Sequence, residues 1–301
     1  MIRAVLRSMR LTLILLLLIQ GIGCGTVGSL YNMVMPRDED ELKKRVWAIP
    51  FLDEAGVGDK EMEQIAADLG GLLEKTGRFL VIKGMKITPS SHIVLTPESV
   101  FMLNPELINC ADEMGIDIMI VGALSPFETN SKKVGIWPFR KTKQKVDISV
   151  LVDVVDVIDG GSLLSRLESV EREASSSGEG EKQKTTLKRT TLNEALSEIL
   201  ENQAEVITEE LRAHPWRSRI TSVDAEGLVV DGGRDIGLEN GSILEVFGIE
   251  SSIRSLDGRD LPILGGKLGE IKVVKVLDAS VETTPLTGGP FEVGQVVKLK
   301  R

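Results

Sequence analysis

Ile118-Met119-Ile120-Val121-Gly122-Ala123-Leu124 is seven residues without a polar side chain, introduced by Gly115-Ile116-Asp117. A short run of that kind bounded by turn residues reads as a strand buried on both faces, so helices or loops must cover each side of the sheet it belongs to. Immediately upstream, Asn104-Pro105 sets a capping side chain before a proline at the first helical position. That predicts a short helix running to near Met114 and stopping at Gly115, and Thr96-Pro97 predicts another. Phe79 to Lys83 reads as a strand. Before it, Met62, Ile65, Ala66, Leu69, Leu72 and Leu73 recur at helical spacing, with Asp59 as N-cap and Gly77 as the stop. Val46 to Leu52 is a further apolar run, ended by Asp53 to Gly58, and suits a buried strand.

Downstream of the central run, Val146, Ile148, Val150, Val152 and Val154 alternate with Asp147, Ser149, Leu151 and Asp153, and Asp159-Gly160-Gly161 turns the chain toward a partner strand at Leu163 to Arg172. Ala174 to Lys188 is rich in Ser, Gly, Glu and Lys and reads as a mobile loop. Leu192, Leu196, Ile199, Leu200, Val206, Ile207 and Leu211 then form one face of a long helix that ends before Pro215. After residue 217 Gly or Pro recurs throughout, and Leu228 to Val230, Ser242 to Phe247, Gly269 to Val276, Ala279 to Thr283 and Gln295 to Leu299 read as strands of a small barrel. The expected fold is α+β, a mixed sheet with packed helices over 46–214 followed by a small β-barrel over 217–301.

Val46-Trp47-Ala48-Ile49-Pro50-Phe51, Ala66-Ala67-Asp68-Leu69, Thr76-Gly77-Arg78-Phe79 and the Met114-Gly115-Ile116-Asp117 approach to Val121-Gly122 resemble the CsgG and TolB-N-like periplasmic family. Members of that family include a curli secretion channel, lipoproteins that activate peptidoglycan synthases and the first domain of a translocation protein, so the resemblance implies the α/β fold without fixing a function. Gly227 to Val230, Ile236 to Phe247, Gly269-Glu270-Ile271 and Phe291 to Val297 resemble the carboxyl-terminal domain of the flagellar assembly protein FlgT, which implies an SH3-like barrel. Ser242 and Gln295 follow glycines where that family commonly has Asp.

At the other end, Arg3, Arg7 and Arg10 precede a short apolar run from Leu11 to Ile19, the form of a secretion signal. The run is too short to span a bilayer, which takes about 20 apolar residues. Gly21-Ile22-Gly23-Cys24 resembles the lipobox of bacterial lipoproteins, with Gly21 in place of the usual aliphatic residue. The resemblance implies cleavage after Gly23 and acylation of Cys24, with a polar tether over 24–45 that holds the folded body off the membrane. Gly25 is not the Asp that marks inner-membrane retention in such families, so the expected location is the outer membrane, facing the periplasm. Cleavage removes three of the 36 basic residues and none of the 45 acidic ones, leaving a formal charge of −12. Such a surface repels nucleic acid.

Two cysteines and two histidines supply no zinc cluster, and HExxH, GxSxG, Walker A and GxGxxG strings do not occur. No catalytic residue, metal or cofactor is expected beyond the lipid on Cys24. Cys110 reads as a small buried thiol. Asp147, Asp153, Asp156 and Asp159 read as a solvated strand face rather than a calcium loop, and Asp231-Gly232-Gly233-Arg234-Asp235 as a turn. The candidate contact site is Gly135-Ile136-Trp137-Pro138-Phe139-Arg140-Lys141, in which Trp137, Phe139, Arg140 and Lys141 are typical interface anchors amid polar neighbours. The alternative reading folds Trp137 and Phe139 back onto their own domain, and a variant of the contact reading sets Lys132, Lys133, Arg140, Lys141, Lys143 and Lys145 against anionic lipid.

The functional expectation is a non-enzymatic, lipid-tethered adaptor or scaffold that acts by protein contacts with envelope proteins in a flagellar or secretion-associated assembly, with oligomerisation left open. Its alternatives are a subunit of a CsgG-like export channel or a non-catalytic activator of a peptidoglycan synthase. The stretches 128–145 and 174–188 would have to supply channel strands, and both are too polar for a lipid-facing wall.

Overall fold

The computed structural model describes residues 42–84, 91–96, 100–136, 138, 141–177, 184–186, 188–225, 227–255 and 260–300. Cys24 and the segment expected to be a secretion signal lie outside the described residues.

The central run forms β6 (Ile118–Leu124), buried at every position. It runs parallel to β1 (Lys44–Ala48) and β2 (Leu52–Asp53) and antiparallel to β8 (Lys141–Asp156), and β1 in turn runs parallel to β3 (Phe79–Val81). With β9 (Ser162–Ser177), β10 (Lys184–Thr186) and β7 (Glu128–Val134), which pairs with β8, these strands make an eight-stranded mixed sheet. Helices α1 (Asp59–Lys75) and α3 (Arg189–Ala213) cover one face. There Val46, Ile118 and Ile120, with Ile148, Val150, Val152 and Val154 of β8, meet the apolar stripes of both helices in one core. Helix α2 (Pro105–Glu113) and a hairpin of β4 (Ile93–Leu95) and β5 (Phe101–Leu103) cover the other face, over Trp47, Ile49, Met119 and Val121.

Local signals explain most of the elements. Asn104 caps α2 by accepting the Glu106 N–H at 2.9 Å, and Gly115 takes the positive φ of 68° that ends it. Helix α1 differs in detail: Gly58 stands at its N-cap and Asp59 is the first helical residue. Lys44 and Arg45 lie in β1, so the folded body begins before Val46, the start expected from the sequence. The buried Lys44 Nζ donates to the Leu211 carbonyl at 2.9 Å, near the end of α3 where a cation complements the helix dipole.

The fold departs from three further sequence expectations. The helix expected after Pro97 gives way at Phe101–Leu103 to β5, because alternation in that segment lets Phe101 and Leu103 bury while Met102 stays exposed. Residues 97–99 lie outside the described residues. The loop expected over 174–188 is strand to Ser177 and again at Lys184–Thr186, since pairing with the long β8 and β9 satisfies its backbone without any apolar side chain. Residues 178–183 also lie outside the described residues. Cys110, expected buried, is exposed on α2, with its thiol 3.7 Å from the Met114 sulfur.

The remaining strands are β11 (Arg217–Val223), β12 (Leu228–Asp231), β13 (Ile243–Arg254), β14 (Asp260–Val276), β15 (Ser280–Gly288) and β16 (Val296–Leu299). They close a six-stranded barrel in the order β11-β12-β15-β14-β13-β16. Sequence patterning missed β11, which opens on Arg217, Ser218 and Arg219 and carries apolar residues at Ile220 and Val223. The barrel core contains Ile220, Val230, Leu244, Val246, Ile271, Val273, Val281 and Val297, and also Trp216 and Leu42 from outside the strands. The protein is therefore α+β, a helix-covered mixed sheet followed by a closed barrel, with both parts in one unit from Leu42 to Arg301.

Candidate functional site

Strand β7 continues the line of β6 along the same side of β8 after a break at 125–127, and its ladder with β8 is regular from Glu128↔Asp147 to Val134↔Lys141. Residues 135–140 are thus the connection at the end of a ribbon that β9 and β10 widen on the other side. Ile136 there is 86% exposed, and Val134 beside it is exposed too. Of the sequence-predicted contact residues, Trp137, Phe139 and Arg140 lie outside the described residues, and Lys141 is described only as the first residue of β8. The ribbon is polar on both faces. Asn130, Lys145 and Glu173 share one, where Lys145 pairs with Glu171 and Lys143 meets Glu173 at 2.5 Å; Thr129 and Arg172 share the other, where Arg172 pairs with Glu198 of α3.

A second arrangement, which sequence reasoning did not find, joins the barrel to the α/β body. Alternation along β1 sends Lys44 toward α3 and Arg45 to the opposite face. There the Arg45 guanidinium is 6% exposed and donates to Asp231 at 2.7 Å, Asp235 at 2.9 Å, the Ala279 carbonyl at 2.8 Å and the Gly115 carbonyl at 3.3 Å. Burial pulls its pKa down, but the two carboxylates outweigh that and hold it above its ordinary value. The Asp231-to-Asp235 segment is more than a turn. Asp235 also accepts the Gly233 and Ile236 N–H groups, which fixes the loop that grips the arginine. A side chain at Gly115, whose φ is 68°, would be strained and would crowd the Asp231 carboxylate and the Arg45 guanidinium, so glycine suits the place where the two parts meet.

Arg217 makes the reverse connection, from the first residue of the barrel to Asp156 at 2.7 Å and Asp159 at 2.6 Å. Asp153 and Asp156 are 7% and 6% exposed, which corrects the expectation of a solvated acidic face: Asp156 neutralises an arginine of the barrel and Asp153 accepts from the hydroxyl of Ser162 at the start of β9. Arg219 adds a third link, to the Ile158 carbonyl at 2.9 Å and to Asp112 at 3.3 Å. Beside it lies an open cleft of about 400 Å³, lined by α2, the β8–β9 turn and Leu261 and Pro262 of the barrel's β14. Among the described residues no cluster of His, Cys, Asp or Glu is arranged to hold a metal, and no helix is long and apolar enough to cross a membrane.

No protein-family model matches the chain, and no curated protein does. Several solved structures are similar at low identity. The hypothetical protein CT253 from Chlamydia trachomatis is 13% identical over 56% of this chain and 99% of its own, with a TM-score of 0.36. Lipoprotein GNA1162 from Neisseria meningitidis is 14% identical over 56% of this chain and 99% of its own, at 0.31. TolB from Acinetobacter baumannii is 11% identical over 81% of this chain and 58% of its own, also at 0.31. Likenesses of this strength identify no family and assign no activity.

Proposed function

We propose that this protein is a lipid-tethered adaptor of a bacterial cell envelope, held by acylated Cys24 at the outer membrane and acting by protein contacts through the end of the β7–β8 ribbon. The observation that carries the reading is the ribbon itself. An unbroken ladder to Val134↔Lys141 leads to the stretch whose sequence includes Ile136, Trp137, Phe139 and Arg140, with Ile136 almost wholly exposed. An exposed apolar side chain at the end of a polar support, in a stretch of aromatic and arginine residues, matches the composition of an interface anchor. The lipobox-like Gly21-Ile22-Gly23-Cys24 supplies the tether, and the resemblance to the CsgG and TolB-N-like family supplies the envelope setting.

The export-channel alternative would use the same ribbon as barrel wall. A wall strand alternates apolar residues toward lipid, whereas this ribbon carries polar residues on both faces beyond Val146. A photo-crosslinking residue at Ile136, introduced in cells, tests the adaptor reading. Discrete adducts that disappear in Cys24→Ser support it, and labelled palmitate incorporated equally into Cys24→Ser would refute the anchor.

A further inference from the structure

The barrel's longest hairpin outruns its neighbours. Strand β13 pairs with β16 only from Leu244 to Phe247 and β14 with β15 only from Gly269 to Val276, but β13 and β14 stay paired with each other out to Arg254↔Asp260. Among the described residues, 248–254 and 260–268 therefore form a two-stranded arm with no third strand on either edge. A two-stranded ribbon is marginally stable in water, and a third or fourth strand adds to it. The two edges differ. That of β14 carries Pro262, Gly265-Gly266 and Lys267, features that keep an edge strand from pairing, and its Leu261 and Pro262 line the cleft beside α2. That of β13, Ile249-Glu250-Ser251-Ser252-Ile253-Arg254, has neither proline nor lysine and is exposed at every position.

Past an irregularity at Ile249 the ladder is regular, with Ser251↔Ile263, Ser252↔Pro262, Ile253↔Leu261 and Arg254↔Asp260. Pro262 has no N–H, so the bonds of this stretch run through the Ser251–Ile263 and Ile253–Leu261 pairs, and Ser252 and Arg254 turn their N–H and C=O groups to the open edge. We propose that this edge pairs antiparallel with the same edge of a second copy of the chain, about a two-fold axis at Ile253. Ser252 of each copy then exchanges backbone bonds with Arg254 of the other, and the two Ile253 residues meet as a pair without backbone bonds, the closer kind. Ile253 and Leu261 lie opposite each other on one face of the arm, so the joined four-stranded sheet carries a row of four aliphatic side chains, Leu261 and Ile253 from each copy. Ile253 is 58% exposed in the single chain, an exposure that this row reduces. The edge selects a copy of itself because its outward bonding groups and its apolar residue are both self-complementary in this register. The pairing does not rest on the adaptor reading.

Oxidative crosslinking of the full chain in detergent tests it, with single cysteines placed on the arm in a Cys110→Ser background, since Cys110 is itself exposed. Ile253→Cys sits on the two-fold axis and should give covalent dimers about tenfold faster than Ser252→Cys, whose partner in this register is Arg254, or than the background chain with no cysteine on the arm. Sedimentation of chains without added cysteines gives the reversible counterpart. Ser252→Pro removes an N–H that points to the open edge, so it should leave the β13–β14 pairing and the melting midpoint in place while weakening the dimer about tenfold or more. A wild-type chain that stays monomeric at about 100 µM, a dimer that Ser252→Pro leaves intact, or equal crosslinking at positions 252 and 253 would each overturn the pairing. The crosslinking result stands by itself if the proline variant does not fold.

Discussion

Arg45→Met should be among the most damaging single substitutions that leave the cores intact. It removes the fork that holds Asp231, Asp235 and the carbonyls of Gly115 and Ala279, and leaves two carboxylates facing each other with no cation between them. Breaking a fully buried pair by removing one partner costs about 3–5 kcal/mol. Asp231 and Asp235 are 27% and 25% exposed, so water recovers part of that, and the expected cost is about 2–3 kcal/mol. Arg45→Lys keeps the charge but cannot reach both carboxylates and both carbonyls, and should cost roughly half as much. Chemical denaturation of the wild type and both variants, with Asp231→Asn completing a double-mutant cycle, measures the coupling directly. A cost below about 0.5 kcal/mol for Arg45→Met, in the range of an ordinary surface change, would refute the claim that this arginine holds the barrel.

Gly122→Ala should destabilise by about 1–3 kcal/mol through overpacking, since a Cβ there would lie 2.5 Å from the Phe51 ring; an unchanged denaturation midpoint would show the ring yields freely. Asp53→Ala should cost about 1–2 kcal/mol, because its carboxylate accepts the Gly56, Val57 and Gly58 N–H groups. Burial raises the Asp53 pKa, but those bonds together outweigh it and hold the value below the ordinary one; its contribution is present above the carboxylate range and lost as pH falls through it, so the variant should show a shallower acid limb in stability. Trp137→Ala with Phe139→Ala should change stability by no more than about 0.5 kcal/mol, whereas burial of either ring predicts about 3–5 kcal/mol each, so a melting curve separates the two.

The sheet was legible because its strands are either wholly apolar, as at Ile118–Leu124, or alternate save for Leu151, as from Val146 to Val154, and because Asn104-Pro105 and Gly115 punctuate α2 without ambiguity. The ribbon beyond was not. Residues from Ser175 to Ser177 have no apolar pattern to read, and their strand conformation comes from pairing with neighbours that sequence cannot align. Strand β11 escaped because Arg217 and Arg219 point to partners at Asp156 and Ile158, about sixty positions away, where a solvent face would show the same letters. The junction was hidden for the same reason. Arg45 stands in a charged run and Asp231 to Asp235 in a glycine turn, and only the fold brings them together. Asp231 just before the Gly232-Gly233 pair, with Asp235 two residues after it, was the one local sign that the turn grips something.

The ribbon end as a contact surface is the central claim, and crosslinking from Ile136 in intact cells tests it most directly. A photo-reactive side chain there should yield discrete adducts with envelope proteins, while the same group at Val94, also exposed but on the β4–β5 hairpin, should not. Equal labelling from both positions, or none from Ile136 in cells that carry the acylated protein, would contradict the proposal.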